Sequence, residues 1–242
     1  MHYFIWNGVN SQEMGLLVES LPPITRPPVR YKTVQIPGRA GELTLKEGKD
    51  VYETYIREVR AMPLGPVNIG AILAWLRDEG EVTFSHEPER VQSARIYDQI
   101  DFAHAFANQR EGTIRFICDP FKRQLPAEGS ITFDEQHPII FNPGDVISWP
   151  ELKITGEGSV AVTIGGTRQA YPALDPDVPV HVDCEAGFVY TRGSEDPTDA
   201  EYSERTPYTT YGDFPFFAAG PNIITLEGDI TELVITPHWR WL

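Results

Sequence analysis

The chain has 242 residues, with 20 Lys and Arg against 35 Asp and Glu and a formal net charge of −15. Nucleic-acid binding by counterion release needs clustered basic residues, and no basic stripe runs along this chain, so a dedicated DNA- or RNA-binding protein is excluded. The longest apolar stretches fall far short of the ~20 residues that a membrane-spanning helix requires, and 21 Pro with 20 Gly favour short strands and loops over long helices.

A soft expectation of about 100–200 residues per domain allows one large or two modest domains. The opening MHYFIWNG lacks a basic region and a long apolar core, so no secretory signal is expected and synthesis in a cytosol is. Tyr3–Trp6 forms a short apolar run closed by Asn7-Gly8, and Leu16-Leu17-Val18 forms another. The segment Leu21-Pro22-Pro23-Ile24-Thr25-Arg26-Pro27-Pro28 reads as an extended, solvent-facing path that cannot join the middle of a sheet. Residues 31–36 alternate as a strand, and Pro37-Gly38-Arg39-Ala40-Gly41-Glu42 marks a turn. Leu43 and Leu45 then share one strand face, with Thr44 and Lys46 on the other, which predicts a β-hairpin with a glycine loop.

One helix is expected. Ile69, Ile72, Leu73 and Leu76 recur at helical spacing, Asn68 is a suitable N-cap, Arg77 lies near the C-terminus and Gly80 is placed to end it. Strands are predicted at 81–85, 93–100 and 113–118, the last with Ile114, Phe116 and Cys118 on one face. Asp119-Pro120-Phe121 is expected to end that strand and to open a boundary extending to Ser130, which gives domains 1–126 and 127–236.

Beyond the boundary the pattern is a meander of short strands. Leu152 and Ile154, then Val160, Val162 and Ile164, then Val180, Val182 and Cys184 alternate with polar or small residues. Phe188 and Tyr190 flank Val189, and Leu233 and Ile235 flank Val234. Gly165-Gly166 predicts a tight hairpin, and the spacing of strands and turns indicates a β-sandwich. Residues 193–212 are polar and acidic and read as a long exposed loop. The two tryptophans of the closing Pro237-His238-Trp239-Arg240-Trp241-Leu242 are expected to dock rather than fray.

The templates for chemistry are not met. Gly38-Arg39-Ala40-Gly41 lacks a following Gly-Lys-Ser/Thr, so positive-φ turns explain its glycines better than phosphate binding. The six histidines show no metal-ligand spacing among themselves, and no Cys or His lies within four residues of Cys118; His181, three before Cys184, is a lone pairing that does not make a zinc motif. Both cysteines are expected to be buried free thiols. Glu195, Asp196, Asp199, Glu201 and Glu204 do not match a calcium loop, and a solvated acidic loop is the favoured reading. No nucleophile elbow or Cys–His arrangement is present, so no catalytic residue, metal or cofactor is assigned and a polysaccharide hydrolase is disfavoured. Trp149, Tyr190 and Trp239 could stack on sugars if exposed, although burial is favoured.

The ordered motifs Phe4-Ile5-Trp6-Asn7-Gly8, Ser11, Met14-Gly15-Leu16, the proline segment and Ile36-Pro37-Gly38-Arg39-Ala40-Gly41 resemble those of the distal tail protein (Dit) family of siphoviruses and related prophages. The resemblance continues through the helix with Trp75, Phe116-Ile117-Cys118-Asp119-Pro120-Phe121, Asn142-Pro143-Gly144-Asp145, Pro150-Glu151-Leu152, Gly156-Glu157-Gly158, Gly220-Pro221-Asn222 and Trp239-Arg240. It implies a mainly β protein, with an N-terminal ring-forming domain carrying one α-helix and a C-terminal galectin-like β-sandwich. The implied role is a non-enzymatic homo-hexameric hub of the virion tail tip, made in the host bacterial cytoplasm. Its implied partners are the tail tube protein, a tail-tip protein (often a lysin or fibre) and, in many members, receptor-binding proteins. DNA would pass through without specific binding, and no membrane insertion is implied. Gly38, Arg39 and Gly41 are the candidate inter-subunit contact. Residues 237–242, through Trp239 and Trp241, are expected to pack back on the N-terminal domain. The alternative is a carbohydrate-binding, lectin-like module for host-surface attachment.

Overall fold

The computed structural model describes residues 2–46, 48, 50–65, 67–100, 102–106, 109–125 and 129–242, with backbone alone at 103–106, 109 and 110. The chain divides into two compact units, Met1–Pro126 with Leu242 and Ala127–Trp241. Each has its own apolar core.

In the first unit, β1 (Phe4–Trp6) turns at Asn7 and Gly8 into β2 (Val9–Asn10). Both turn residues have positive φ, 50° and 78°, and Trp6 pairs with Val9, the geometry for which Asn-Gly is favoured. Next come β3 (Leu16–Ser20), β4 (Tyr31–Gln35), β5 (Glu42–Lys46) and β6 (Tyr55–Pro63). Helix α1 (Ile69–Trp75) precedes β7 (Asp78–Phe84), β8 (Arg90–Ile96), β9 (Phe102–Phe106) and β10 (Gln109–Gln124). The main sheet runs β2-β1-β7-β8-β10-β6-β3, with β9 also on β10, while β4 and β5 form a separate two-stranded sheet. Inward-facing Phe4, Trp6, Val59, Ala61, Ile114, Phe116 and Cys118 alternate with outward residues, and Phe116 meets Phe4, Trp6 and Phe84 ring to ring. The helix lays Ile72 and Leu76 on this core, and the Trp75 indole donates to the carbonyl of Trp6.

Three expectations for this unit are corrected. Asn68 does cap the helix, its side chain accepting from the Ala71 amide, but the helix stops at Trp75 rather than at Gly80. Asp78, at φ 62°, turns the chain and starts β7 at once, so Gly80 is a strand residue, pressed against Asn7 where a Cβ would collide with the Asn7 amide. Leu73 lies off the buried stripe and is exposed. The Asp119-Pro120-Phe121 step does not end its strand either. The pairing of β10 with β8 shifts register between Cys118 and Lys122, so a bulge absorbs the proline and pairing resumes to Gln124.

The second unit contains β11 (Ile131–Thr132), β12 (Ile139–Asn142), β13 (Glu151–Ile164), β14 (Thr167–Leu174), β15 (Val180–Asp183) and β16 (Phe188–Arg192). Then follow β17 (Arg205–Pro207), β18 (Tyr211–Gly212), β19 (Gly220–Thr236) and β20 (Arg240–Trp241). Strands β13 and β19 form the spine. Their first- and second-half pairings differ: Glu151–Ile154 joins β15, whereas Val160–Ile164 joins β14. A register shift between Glu157 and Ala161 carries the spine from one layer to the other. At that bend Gly228 has φ 81°, and a Cβ there would lie 2.5 Å from the carbonyl oxygen of Ser159, so only glycine fits. Gly165 and Gly166 make the expected two-residue turn, with φ 57° and 89°.

The expected free loop at 193–212 is instead partly ordered by pairing. Arg205–Pro207 adds to β16, Tyr211 and Gly212 add to β14, and Ala200–Ser203 forms a 3-10 turn capped by Asp199. The Arg192 guanidinium lies 4.1 Å from the Tyr202 ring and Arg205 lies 4.6 Å from the Tyr190 ring, so the segment is clamped to the sheet.

Candidate assembly interface

The hairpin of β4 and β5 is the most conspicuous unsupported element. Its turn follows from its sequence: Pro37 pre-sets one backbone angle, Gly38 takes φ 81°, and the Arg39 amide donates to the Ile36 carbonyl at 3.1 Å. That is a type II turn, with proline and glycine in the positions such a turn favours. Gly41, also at φ 81°, returns the chain into β5. Arg39 stands exposed at the tip, and its guanidinium has no partner among the described residues.

Strand register fixes the faces of the blade. Val34 pairs with Leu43 and Lys32 with Leu45, so these share one side, while Thr33 with Thr44 and Tyr31 with Lys46 share the other. No residue of either strand is buried, and Tyr31, Ile36 and Leu45 are among the exposed large apolar residues of the chain. An isolated two-stranded hairpin is marginal in water. Among the described residues this one is held at its root. Val29 bridges Tyr52, the Arg30 amide donates to Val51, and Arg26 donates to the Tyr52 hydroxyl at 3.0 Å. Tyr52 is in turn buried edge-on against Phe121. A firmly anchored root thus carries an apolar blade that its own unit leaves uncovered.

The terminal tryptophans lie in the second unit. Trp239 packs edge-on against Phe217, and the Trp241 indole donates to the Pro143 carbonyl at 3.2 Å. Both belong to the sandwich core, and the Ser148 hydroxyl reaches the carbonyls of Pro237 and His238. An apolar seat beside Phe217 and a carbonyl acceptor at Pro143 hold the two indoles.

The remaining candidates place no reactive group. Cys118 and Cys184 are free and buried in different cores, and burial pushes the Cys118 thiol up to about 12 and the Cys184 thiol up as well. Three acidic residues of 193–204 are used locally. Asp196 accepts from the Thr198 amide and hydroxyl, Asp199 caps the 3-10 turn, and Glu195 binds Lys153 at 2.6 Å and His181 at 2.7 Å. Among the described residues no group of three His, Cys, Asp or Glu could hold a metal ion, and no helix is long and apolar enough to cross a membrane. Tyr190 and Trp239, considered as sugar platforms, are buried.

A larger charged cluster, not anticipated from sequence, lies in the first unit. Glu87 receives Lys122 at 2.7 Å and Arg57 at 2.9 Å. Arg57 also donates to Gln92 at 3.1 Å and stacks 4.3 Å from the Phe84 ring centre. Burial favours the neutral Glu87 acid, but hydrogen bonds from Lys122 and Arg57 outweigh it and hold the carboxyl below its ordinary value. The period-2 pattern carries a signal for it: Arg57 shares the inward face of β6 with Val59 and Ala61.

These features define a two-unit, mainly β protein. Over the full length of both chains its fold is similar to the crystal structure of the SPP1 Dit (gp 19.1) protein, with a TM-score of 0.69 and 14% sequence identity. That phage protein is described as a paradigm of the hub adsorption apparatus in phages infecting Gram-positive bacteria. The chain therefore has the distal tail protein fold. No family model and no curated protein matches the sequence.

Proposed function

We propose that this chain is a structural, non-enzymatic subunit of the hub at the distal end of a long non-contractile phage tail. It assembles head-to-tail into a closed hexameric ring, with the β4–β5 hairpin of each copy covering a surface of the next. The observation that carries this reading is the hairpin itself, a blade with apolar Val34, Leu43 and Leu45 on one side and no buried residue. A heterologous contact repeated by rotation closes into a ring, and Arg39 at the tip is free to supply directed hydrogen bonds to a neighbour. Likeness over the whole chain to a phage hub protein supports the same reading.

Six copies at −15 each would bring −90 formal charges, which suits a channel that DNA crosses without adhering. The ring would join the tail tube on one side and the tail-tip protein on the other. The test is mass by light scattering together with imaging of the purified protein and of tail tips. Closed sixfold rings are expected, and L43D/L45D or R39E should release monomers that keep the wild-type fold. Rings that persist in L43D/L45D would remove the hairpin from the interface. Tail tips lacking this chain would refute the hub assignment.

A further inference from the structure

The second unit carries an apolar surface that nothing above explains. Strand β12 lies at a sheet edge, and its one strand partner among the described residues is β19, in the register Ile139 to Ile223, Ile140 to Asn222 and Phe141 to Pro221. Alternation sends Ile140, Asn222 and Ile224 inward, where they are buried. It turns Ile139, Phe141, Pro221 and Ile223 outward together. Ile139 is 57% exposed, Phe141 65% and Ile223 60%. Directly paired side chains stand about 5 Å apart, so the four form one continuous patch. Scattered exposed apolar residues need no explanation, but a contiguous group beside an unpaired strand edge marks an association surface.

The frame of this patch selects its partner. The sequence holds no Lys or Arg between Arg123 and Lys153, nor between Arg205 and Arg240, the two stretches that build β12 and β19. Those stretches do hold Asp134, Glu135, Asp145, Asp213 and Glu227. The outward face continues over Thr225 and Thr163 to Arg168, whose guanidinium is already engaged by both carboxylate oxygens of Glu227, at 3.0 and 2.7 Å. The stretches that carry the patch thus hold carboxylates and His137 but no Lys or Arg. A second copy would bring the same two stretches, with carboxylates and no Lys or Arg to answer them.

We propose that Ile139, Phe141, Pro221 and Ile223, with the free edge of β12, dock an extended segment of a different protein that presents apolar side chains flanked by Lys or Arg. Added as a strand, such a segment satisfies the open backbone edge, covers the patch and neutralises its rim. The proposal does not depend on ring assembly.

The test uses the full chain and a fluorescently labelled synthetic peptide of alternating Lys with Phe or Val, followed by anisotropy. A peptide with every Lys replaced by Glu serves as the charge control. The wild-type protein should bind the basic peptide and not the acidic one. F141E should weaken that binding tenfold or more, F141S likewise, and I24E, at an apolar position 74% exposed in the first unit, should leave it unchanged. F141E adds negative charge, so binding that is equal or tighter in F141E would show mere attraction to an acidic protein and overturn the proposal. Equal binding of the two peptides, or no binding of either, would also overturn it. Self-association of the wild type that F141E abolishes would assign the patch to a second copy instead.

Discussion

Replacing Glu87 with Gln should unlock the buried charge cluster of the first unit. Arg57 and Lys122 are 3% and 4% exposed, and both direct donors at Glu87. The substitution keeps the volume but removes the single carboxylate that answers two cations withdrawn from water. Breaking a buried pair from one side costs about 3–5 kcal/mol, because the surviving charge is left uncompensated. With a urea dependence of ~2 kcal/mol per molar, the unfolding midpoint of the first unit should fall by about 1.5–2.5 M. Urea-dependent hydrogen exchange measures this locally, with peptides from β6, β8 and β10 as the readout and peptides from β13 and β19 as a reference in the same molecule. Because the folded carboxyl lies below its ordinary value of 4.5, its contribution is fully present above that pH and is lost as pH falls through the depressed value. Wild type should therefore lose this increment on acidification from pH 4.5 downward, and E87Q should not. Replacing Arg57, Glu87 and Lys122 together by Met or Leu should cost less than E87Q alone, since no orphaned charge remains. A loss in E87Q below about 1 kcal/mol, the level of an exposed pair, would refute the argument, as would an equal loss in β13 and β19.

Other outcomes follow from single positions. Gly228→Ala should destabilise the second unit by about 2–3 kcal/mol in urea unfolding, whereas Gly220→Ala should cost only ~1 kcal/mol. Both glycines have positive φ, but a Cβ at Gly228 meets the Ser159 backbone while one at Gly220 meets nothing. Trp239→Ala should cost about 3–5 kcal/mol in the second unit, measured by urea unfolding, since the ring is buried against Phe217. A thiol reagent at pH 8 should label neither Cys118 nor Cys184 until urea opens the cores, because burial keeps both protonated and inaccessible.

What the sequence revealed depended on the range of the interaction. The Asn7-Gly8 and Pro37-Gly38 turns and the Asn68 cap are set by adjacent residues, and each formed where its residues called for it. The end of α1 was not legible, because Asp78 adopts a left-handed conformation that aspartate tolerates without requiring it. The continuation of β10 past Pro120 was hidden as well, since a bulge depends on the partner strand and not on the bulged residues. The cluster of Glu87 with Arg57 and Lys122 joins residues far apart in sequence. Only the inward place of Arg57 on β6 hinted that a charge was being drawn into the core. The candidate hairpin was visible as a hairpin, but not as an uncovered one. Its alternation of apolar and polar residues is what a strand seated on its own core would also show.

The pairing of β13 with β19 has a consequence for the order in which the second unit can be made. Strands β11, β12 and β13 leave the ribosome first, and all three pair with β19, which begins only at Gly220. The hollow beside Phe217 fills only when Trp239 emerges. Until then Leu152, Ile154, Val162 and Ile164 can pair with β15 and β14 but lack their β19 partners, and contacts this distant in sequence form slowly. Folding of the sandwich therefore waits for β19, and its early strands are open to a chaperone over that interval.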